Sequence, residues 1–380
     1  MAGVRRSWLP ALGLGLCCVL SWNSLRLTPD HHLLAGSLRS PDWRAPKDSS
    51  ESWPTSRSDA TFCLEHRGDD GRWELDWQYA EGHQYKTYGN FPAGMIANQL
   101  FQPSPNQPYR LPTAYRWLDS RCKTPTVTRE GLCTVLKRLN VTLIYVAGDS
   151  MNEGFMTSLR GMMGHPKWGS IQFVRRILNF TCNDWTFSTL FKRVQTPNTD
   201  YMSFFFDLDL KENRRDLLSS NPGRSVILVN IGAHVHSLEN FTQSFDRLTT
   251  SLRMLGRPND IVFYRTAVPG HEGCFPRVKP RFINWAEYRD EAPYESYADY
   301  LPHATTLYDW HLIETYNKMA RASLPPDFHW LNVYNSTVLR RDGHTGSEDC
   351  LHYSFPGPTD WWVHLWYAAL WDLLAVEQNQ

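Results

Sequence analysis

Along the 380 residues the apolar positions change their pattern several times. A run without charge, 7–25, follows Arg5 and Arg6, and the next stretch, 28–60, is rich in Ser, Pro, Asp and Arg with no apolar period. A segment of that composition buries too little apolar surface to offset its ordering entropy and reads as a solvated stem. Residues 61–122 are aromatic and turn-rich without helical periodicity, as expected of a small irregular subdomain tied by disulfides. From Val141 onward, short apolar runs alternate with longer amphipathic stretches. The runs at 143–146, 202–206, 226–231, 261–265 and 329–333 predict strands, and a helical period predicts helices over 151–163, 238–255, 306–322 and 360–377. Such alternation predicts an α/β domain, 123–380, built on a parallel sheet with helices on both faces and its ligand at the carboxyl ends of the strands.

Composition narrows the setting. Lys plus Arg and Asp plus Glu both number 39, so no net field draws the chain to nucleic acid. With 42% hydrophobic residues it can bury a large core. The run in 1–27 is long enough to span a bilayer, although Pro10 and several glycines weaken it, and the preceding arginines leave the N-terminus cytoplasmic. A type II anchor with everything beyond it in the lumen is expected; a cleaved signal and secretion is the alternative. Four sequons, at Asn140, Asn179, Asn240 and Asn335, suit that compartment. So do Cys63, Cys122, Cys133, Cys182, Cys274 and Cys350, an even set that allows three disulfides in any of about 15 connectivities. No cysteine pair has zinc-knuckle spacing, so no metal is expected.

Two short segments carry chemistry. Gly148-Asp149-Ser150 follows the apolar run 143–146, and Asp349-Cys350-Leu351-His352 comes late in the chain. A serine on the turn after a buried strand, with an acid able to fold back onto a histidine, suits nucleophilic acyl chemistry. Ser150 is then the nucleophile, His352 the general base and Asp349 the residue that fixes the imidazole tautomer. Gly148 supplies the sharp turn, and Asp149 is read as a hydrogen-bonding residue of that turn. Asn230, Gly232 and His234, after the apolar run at 226–229, are candidate oxyanion or substrate contacts. The aromatic spacing of Trp361, Trp362, Trp366 and Trp371 suits docking of a helix on the sheet.

These segments, in order, resemble a known family. Gly148-Asp149-Ser150, Arg341-Asp342-Gly343-His344, Asp349-Cys350-Leu351-His352 and Pro356-Gly357-Pro358-Thr359-Asp360-Trp361 look like the PC-esterase branch of the SGNH (GDSL-like) hydrolase superfamily. They are most similar to the trichome birefringence-like polysaccharide O-acetyltransferases. Gly71-Arg72-Trp73-Glu74-Leu75-Asp76, Tyr115-Arg116-Trp117 and Phe263-Tyr264-Arg265-Thr266 with Pro269-Gly270-His271 extend the likeness upstream. Departures are Glu153, where the family usually has arginine, and Ser354, where it has a second cysteine. The resemblance implies a three-layer α/β/α SGNH-like catalytic domain, no bound cofactor, an acetyl donor as co-substrate, a polysaccharide or glycan acceptor, and a Golgi membrane location. A carbohydrate acetylesterase, or a glycan-binding relative without activity, is the alternative. Cys350, between two triad residues, is expected to be bridged.

Overall fold

The computed structural model describes residues 56–76, 78–79, 111–164, 177–182, 184–193, 218, 220–271, 294, 308–344 and 350–378. All of them fall in one compact unit, Ser52–Gln380. The expected anchor, the stem, the run at 202–206, Cys274 and Asp349 lie outside the described residues, apart from the last few positions of the stem. Among the described residues no helix is long and apolar enough to cross a membrane.

The fold is mixed α/β around a mostly parallel sheet. Its strands are β3 (Val141–Gly148), β4 (Leu178–Cys182), β5 (Trp185–Arg193), β6 (Arg224–Val229), β7 (Ile261–Arg265) and β8 (Phe328–Leu331), in the order β4-β5-β3-β6-β7-β8. β3 pairs in parallel with β5 on one side and β6 on the other, and β7 and β8 continue the parallel series. β4 departs from the expected parallel sheet: it closes as an antiparallel hairpin on β5. A smaller antiparallel pair, β1 (Gly71–Leu75) with β2 (Tyr115–Asp119), lies upstream.

The helices are α1 (Arg57–His66), α2 (Arg129–Arg138), α3 (Ser150–Met162), α4 (Leu238–Met254), α5 (Ile313–Ala322) and α6 (Pro358–Gln378). Side-chain caps start several of them: Ser56, Thr128, Asp149 and Ser237 each accept a backbone N–H of the first turn. The helix expected over 306–322 begins only at Ile313, after one 3-10 turn from Trp310, because Asp309 sits at φ +47° and breaks the period. α2 and the β4–β5 hairpin add to the expected elements; α2 carries Leu132, Val135 and Leu136 at helical spacing, but over only ten residues.

Strand pleating divides the core in two. Ile144, Val146, Val226, Leu228 and Phe263 join one cluster with residues of α2, α3 and α6, while Leu143, Tyr145, Ile227, Val229 and Tyr264 join another with residues of α4 and α5. α6 is apolar almost all round; Trp361, Trp362 and Trp366 are fully buried, as the docking reading expects. Truncating one of them to Ala costs about 3–5 kcal/mol. α1 is held to α6 by Arg67, whose guanidinium donates to Asp372 Oδ2 at 2.5 and 3.1 Å. Disulfides Cys63–Cys122 and Cys133–Cys182 tie the upstream elements.

Candidate active site

Three consecutive residues shape the turn at the end of β3. Gly148 has φ +152°, and a Cβ there would stand 2.3 Å from Asn230 Oδ1 and 2.7 Å from Asn152 Nδ2. Glycine alone fits that turn. Asp149 caps α3: its Oδ1 accepts the Met151 N–H at 2.9 Å, and its Oδ2 accepts from Asn230 Nδ2 at 3.2 Å. Ser150 is the first helical residue, so its N–H has no intrahelical acceptor and lies at the positive end of the helix dipole. Every residue of α3 after Ser150 is buried, which leaves the serine as its half-buried tip.

The late histidine meets it. His352 Nε2 lies 2.6 Å from Ser150 Oγ, and both side chains are half-buried. With Nε2 as the proton acceptor, the ring proton of neutral His352 sits on Nδ1. Asp349, expected beside that nitrogen, is outside the described residues.

The segment carrying His352 is held by long-range contacts. The His271 N–H donates to Cys350 O at 3.0 Å, and the Ser354 N–H donates to Gly343 O at 2.8 Å. Tyr353 Oη donates to Pro269 O at 3.1 Å. Gly270 packs so closely that a Cβ would stand 2.2 Å from Trp310 and 2.3 Å from Cys350 O. Beneath lies a pair of buried imidazoles: His344 Nδ1 is 3.0 Å from His352 O, His344 Nε2 is 2.7 Å from His271 Nδ1, and His271 Nε2 is 2.7 Å from Val338 O. Burial pushes His271 down to about 4; the Val338 carbonyl opposes this, and Arg341 and Arg340 add to it. His271 is therefore neutral at ordinary pH. The Arg341-Asp342-Gly343 turn braces this segment, with Arg340 donating to both Asp342 oxygens at 2.7 and 2.9 Å and stacking over Trp73.

The two halves are bolted together behind the site. Ser158 Oγ on α3 donates to Asp360 Oδ1 on α6 at 2.6 Å, and a Cβ on Gly154 would lie 3.3 Å from Thr359. Glu153 is buried one turn after Ser150.

The oxyanion candidates divide. Asn230 is buried and gives its amide to Asp149, beneath the turn. Gly232 packs against Ala267, 2.3 Å from where its Cβ would be, and its carbonyl accepts the Val235 N–H. His234 is half-buried with its ring edge-on to Tyr308. Of the sequon asparagines, Asn140, Asn179 and Asn240 are exposed, while Asn335 is half-buried and its Nδ2 donates to Asp69 O at 2.6 Å. Cys350 is disulfide-bonded, and its partner lies outside the described residues. Sequence reasoning gave no role to Asn152 or Arg265, because only the folded chain brings them together.

No protein-family model and no curated protein matches this chain.

Proposed function

We propose that this chain is an SGNH-like glycan O-acetyltransferase of the PC-esterase type, with Ser150, His352 and Asp349 as its triad. The 2.6 Å contact between Ser150 Oγ and His352 Nε2, at the carboxyl end of a central parallel strand, is the observation that carries this reading. Two core clusters fed by alternate residues of the same strands support the three-layer form.

Ser150 Oγ attacks the carbonyl carbon of an acetyl donor while His352 Nε2 takes the hydroxyl proton. The oxyanion forms near the Ser150 N–H, and the donor's leaving group departs with the proton from His352. A sugar hydroxyl then attacks the acetyl-serine, giving its proton to His352, and collapse returns that proton to Ser150 Oγ. Asp349 orients the imidazole through Nδ1. No cofactor is needed beyond the acetyl donor. Water in place of the sugar hydroxyl gives an acetylesterase, and the half-buried, solvent-touched pair keeps that outcome in view. The reading carries with it a luminal domain on a Golgi type II anchor.

The test incubates the purified protein with p-nitrophenyl acetate and then with a panel of glycans, following acetyl-protein, O-acetylated glycan and free acetate by mass spectrometry. O-acetylated glycan selects the transferase. Acetate release without transfer selects the esterase, and no acetylation of Ser150 overturns both.

A further inference from the structure

We infer that Arg265 is a positioning residue for the nucleophile turn, acting through Asn152 to hold the turn and through charge to balance Asp149 beside the developing oxyanion. The inference rests on Ser150 being the nucleophile, as proposed above.

Arg265 ends β7 and is wholly buried. Its Nε donates to Asn152 Oδ1 at 2.6 Å, its Nη1 donates to Thr266 O at 2.7 Å, and its guanidinium lies 4.8 Å from the centre of the Trp362 ring. Asn152 Nδ2 in turn donates to Ala147 O at 2.7 Å. This path runs from β7 to α3 and back to the residue before Gly148, so it encloses the turn on which Ser150 stands. The second arm is the Asn230 amide on Asp149. Both arms converge on the space over Gly148, where Asn230 Oδ1 and Asn152 Nδ2 are the near atoms.

The charges follow the same plan. Asp149 is 1% exposed. Among the described residues neither Asp149 nor Arg265 makes a direct ion pair, and Arg265 Nη2 has no hydrogen-bond acceptor. Burial pushes the guanidinium down to about 10 while the Asp149 charge holds it up, so it stays protonated at neutral pH. A buried carboxylate next to Ser150 opposes the negative charge that forms on the substrate oxygen, and a buried cation on the other side of the same turn offsets it. Arginine suits the position because Nε and Nη1 serve two acceptors at once, which a lysine ammonium at the end of a flexible stem does not reproduce.

The experiment measures the acylation burst of the full-length protein with p-nitrophenyl acetate between pH 6 and pH 9, each variant taken as a ratio to the parent at the same pH. Arg265→Gln should slow acylation about 100-fold at pH 8, in the range seen when one oxyanion donor is lost. The double variant Asp149→Asn with Arg265→Gln should recover roughly tenfold over Arg265→Gln at every pH measured, since neither charge remains. A purely structural role predicts effects that multiply, and that result overturns the inference, as does an Arg265→Gln ratio within threefold of one. If Arg265→Gln does not fold, Arg265→Lys, which keeps the charge, is compared with the double variant: a slow Lys variant together with a faster, folded double variant overturns the charge role. A parent with no burst overturns the nucleophile assignment and this inference together. A parent burst with an unaffected Arg265→Gln overturns only the inference.

Discussion

The nucleophile turn and the segment that presents the base are built in opposite ways. Gly148, Asp149 and Ser150 take their shape from local backbone rules, a positive φ, a helix cap and the first position of α3, and Asn230 and Arg265 brace that shape from outside. The segment of His352 is fixed from outside itself, by the distant residues 269–271 and by the nearer turn at 343–344, with Val338 behind His271. A turn with its own backbone rules depends on them first and on its outside braces second. A segment pinned by distant contacts loosens when any of them does.

The largest effect belongs where the two regions meet. Ser150→Ala and His352→Ala should each lower acylation by roughly four to six orders of magnitude, and the double variant no more than either, because the pair acts as one unit. Asp349→Asn should cost roughly four orders of magnitude while the protein stays folded. Multiplying losses in the double variant would mean the two residues do not share a task; steady-state kinetics on all variants decides it.

Next come two glycines that separate the regions. Gly148→Ala strains a positive φ, a cost of about 1–3 kcal/mol, and drives a methyl onto the Asn230 side chain. Gly270→Ala strikes Trp310 and the Cys350 carbonyl with no φ penalty. Gly148→Ala should lower the melting temperature and activity together. Gly270→Ala should lower activity with protection from hydrogen exchange lost around 344–353 and kept in α3. Equal loss of protection in both regions would erase the contrast.

Acid should find the base segment first. His271 and His329 are pushed down to about 4 by burial, from an ordinary value near 6.5. Their folded values lie below their unfolded ones, so the unfolded chain binds more protons between those limits. The stability they contribute is present above pH 6.5 and is lost as pH falls towards 4. Thermal melts from pH 7.5 to 4.5 should show a falling midpoint, and exchange at pH 5, corrected for intrinsic rate, should rise at 344–353 before it rises in α3. A midpoint that holds steady over that range contradicts the burial argument.

The smallest effect concerns surface asparagines. Asn179 and Asn240 are exposed and should carry glycan, whereas Asn335, bonded to Asp69 O, should not. Glycopeptide mapping that finds Asn335 fully occupied would show that this contact forms differently in the glycosylated protein.

The same contrast explains what the sequence disclosed. The strand at 261–265 was legible to the residue because its run from Ile261 to Tyr264 is unbroken by small polar residues and every position in it is buried. The one expected at 226–231 ends at Val229, because Asn230 leaves the ladder to bond Asp149. β3 begins at Val141 and runs to Gly148, beyond its apolar signal, because pairing with both β5 and β6 orders residues of mixed polarity. β5 escaped notice since Thr186, Ser188 and Thr189 interrupt its apolar run. Ser150 and His352 could be paired from sequence because the chemistry demands both. Arg265 and Asn152, 113 residues apart, share no pattern that chemistry or period would connect.

The most direct test is the intact mass of the protein quenched within milliseconds of mixing with p-nitrophenyl acetate. The account predicts a single added acetyl group, mapped by peptide fragmentation to Ser150 and absent from Ser150→Ala. A folded Ser150→Ala protein that acquires acetyl at the parent rate, or a parent acetylated at another residue, would contradict it.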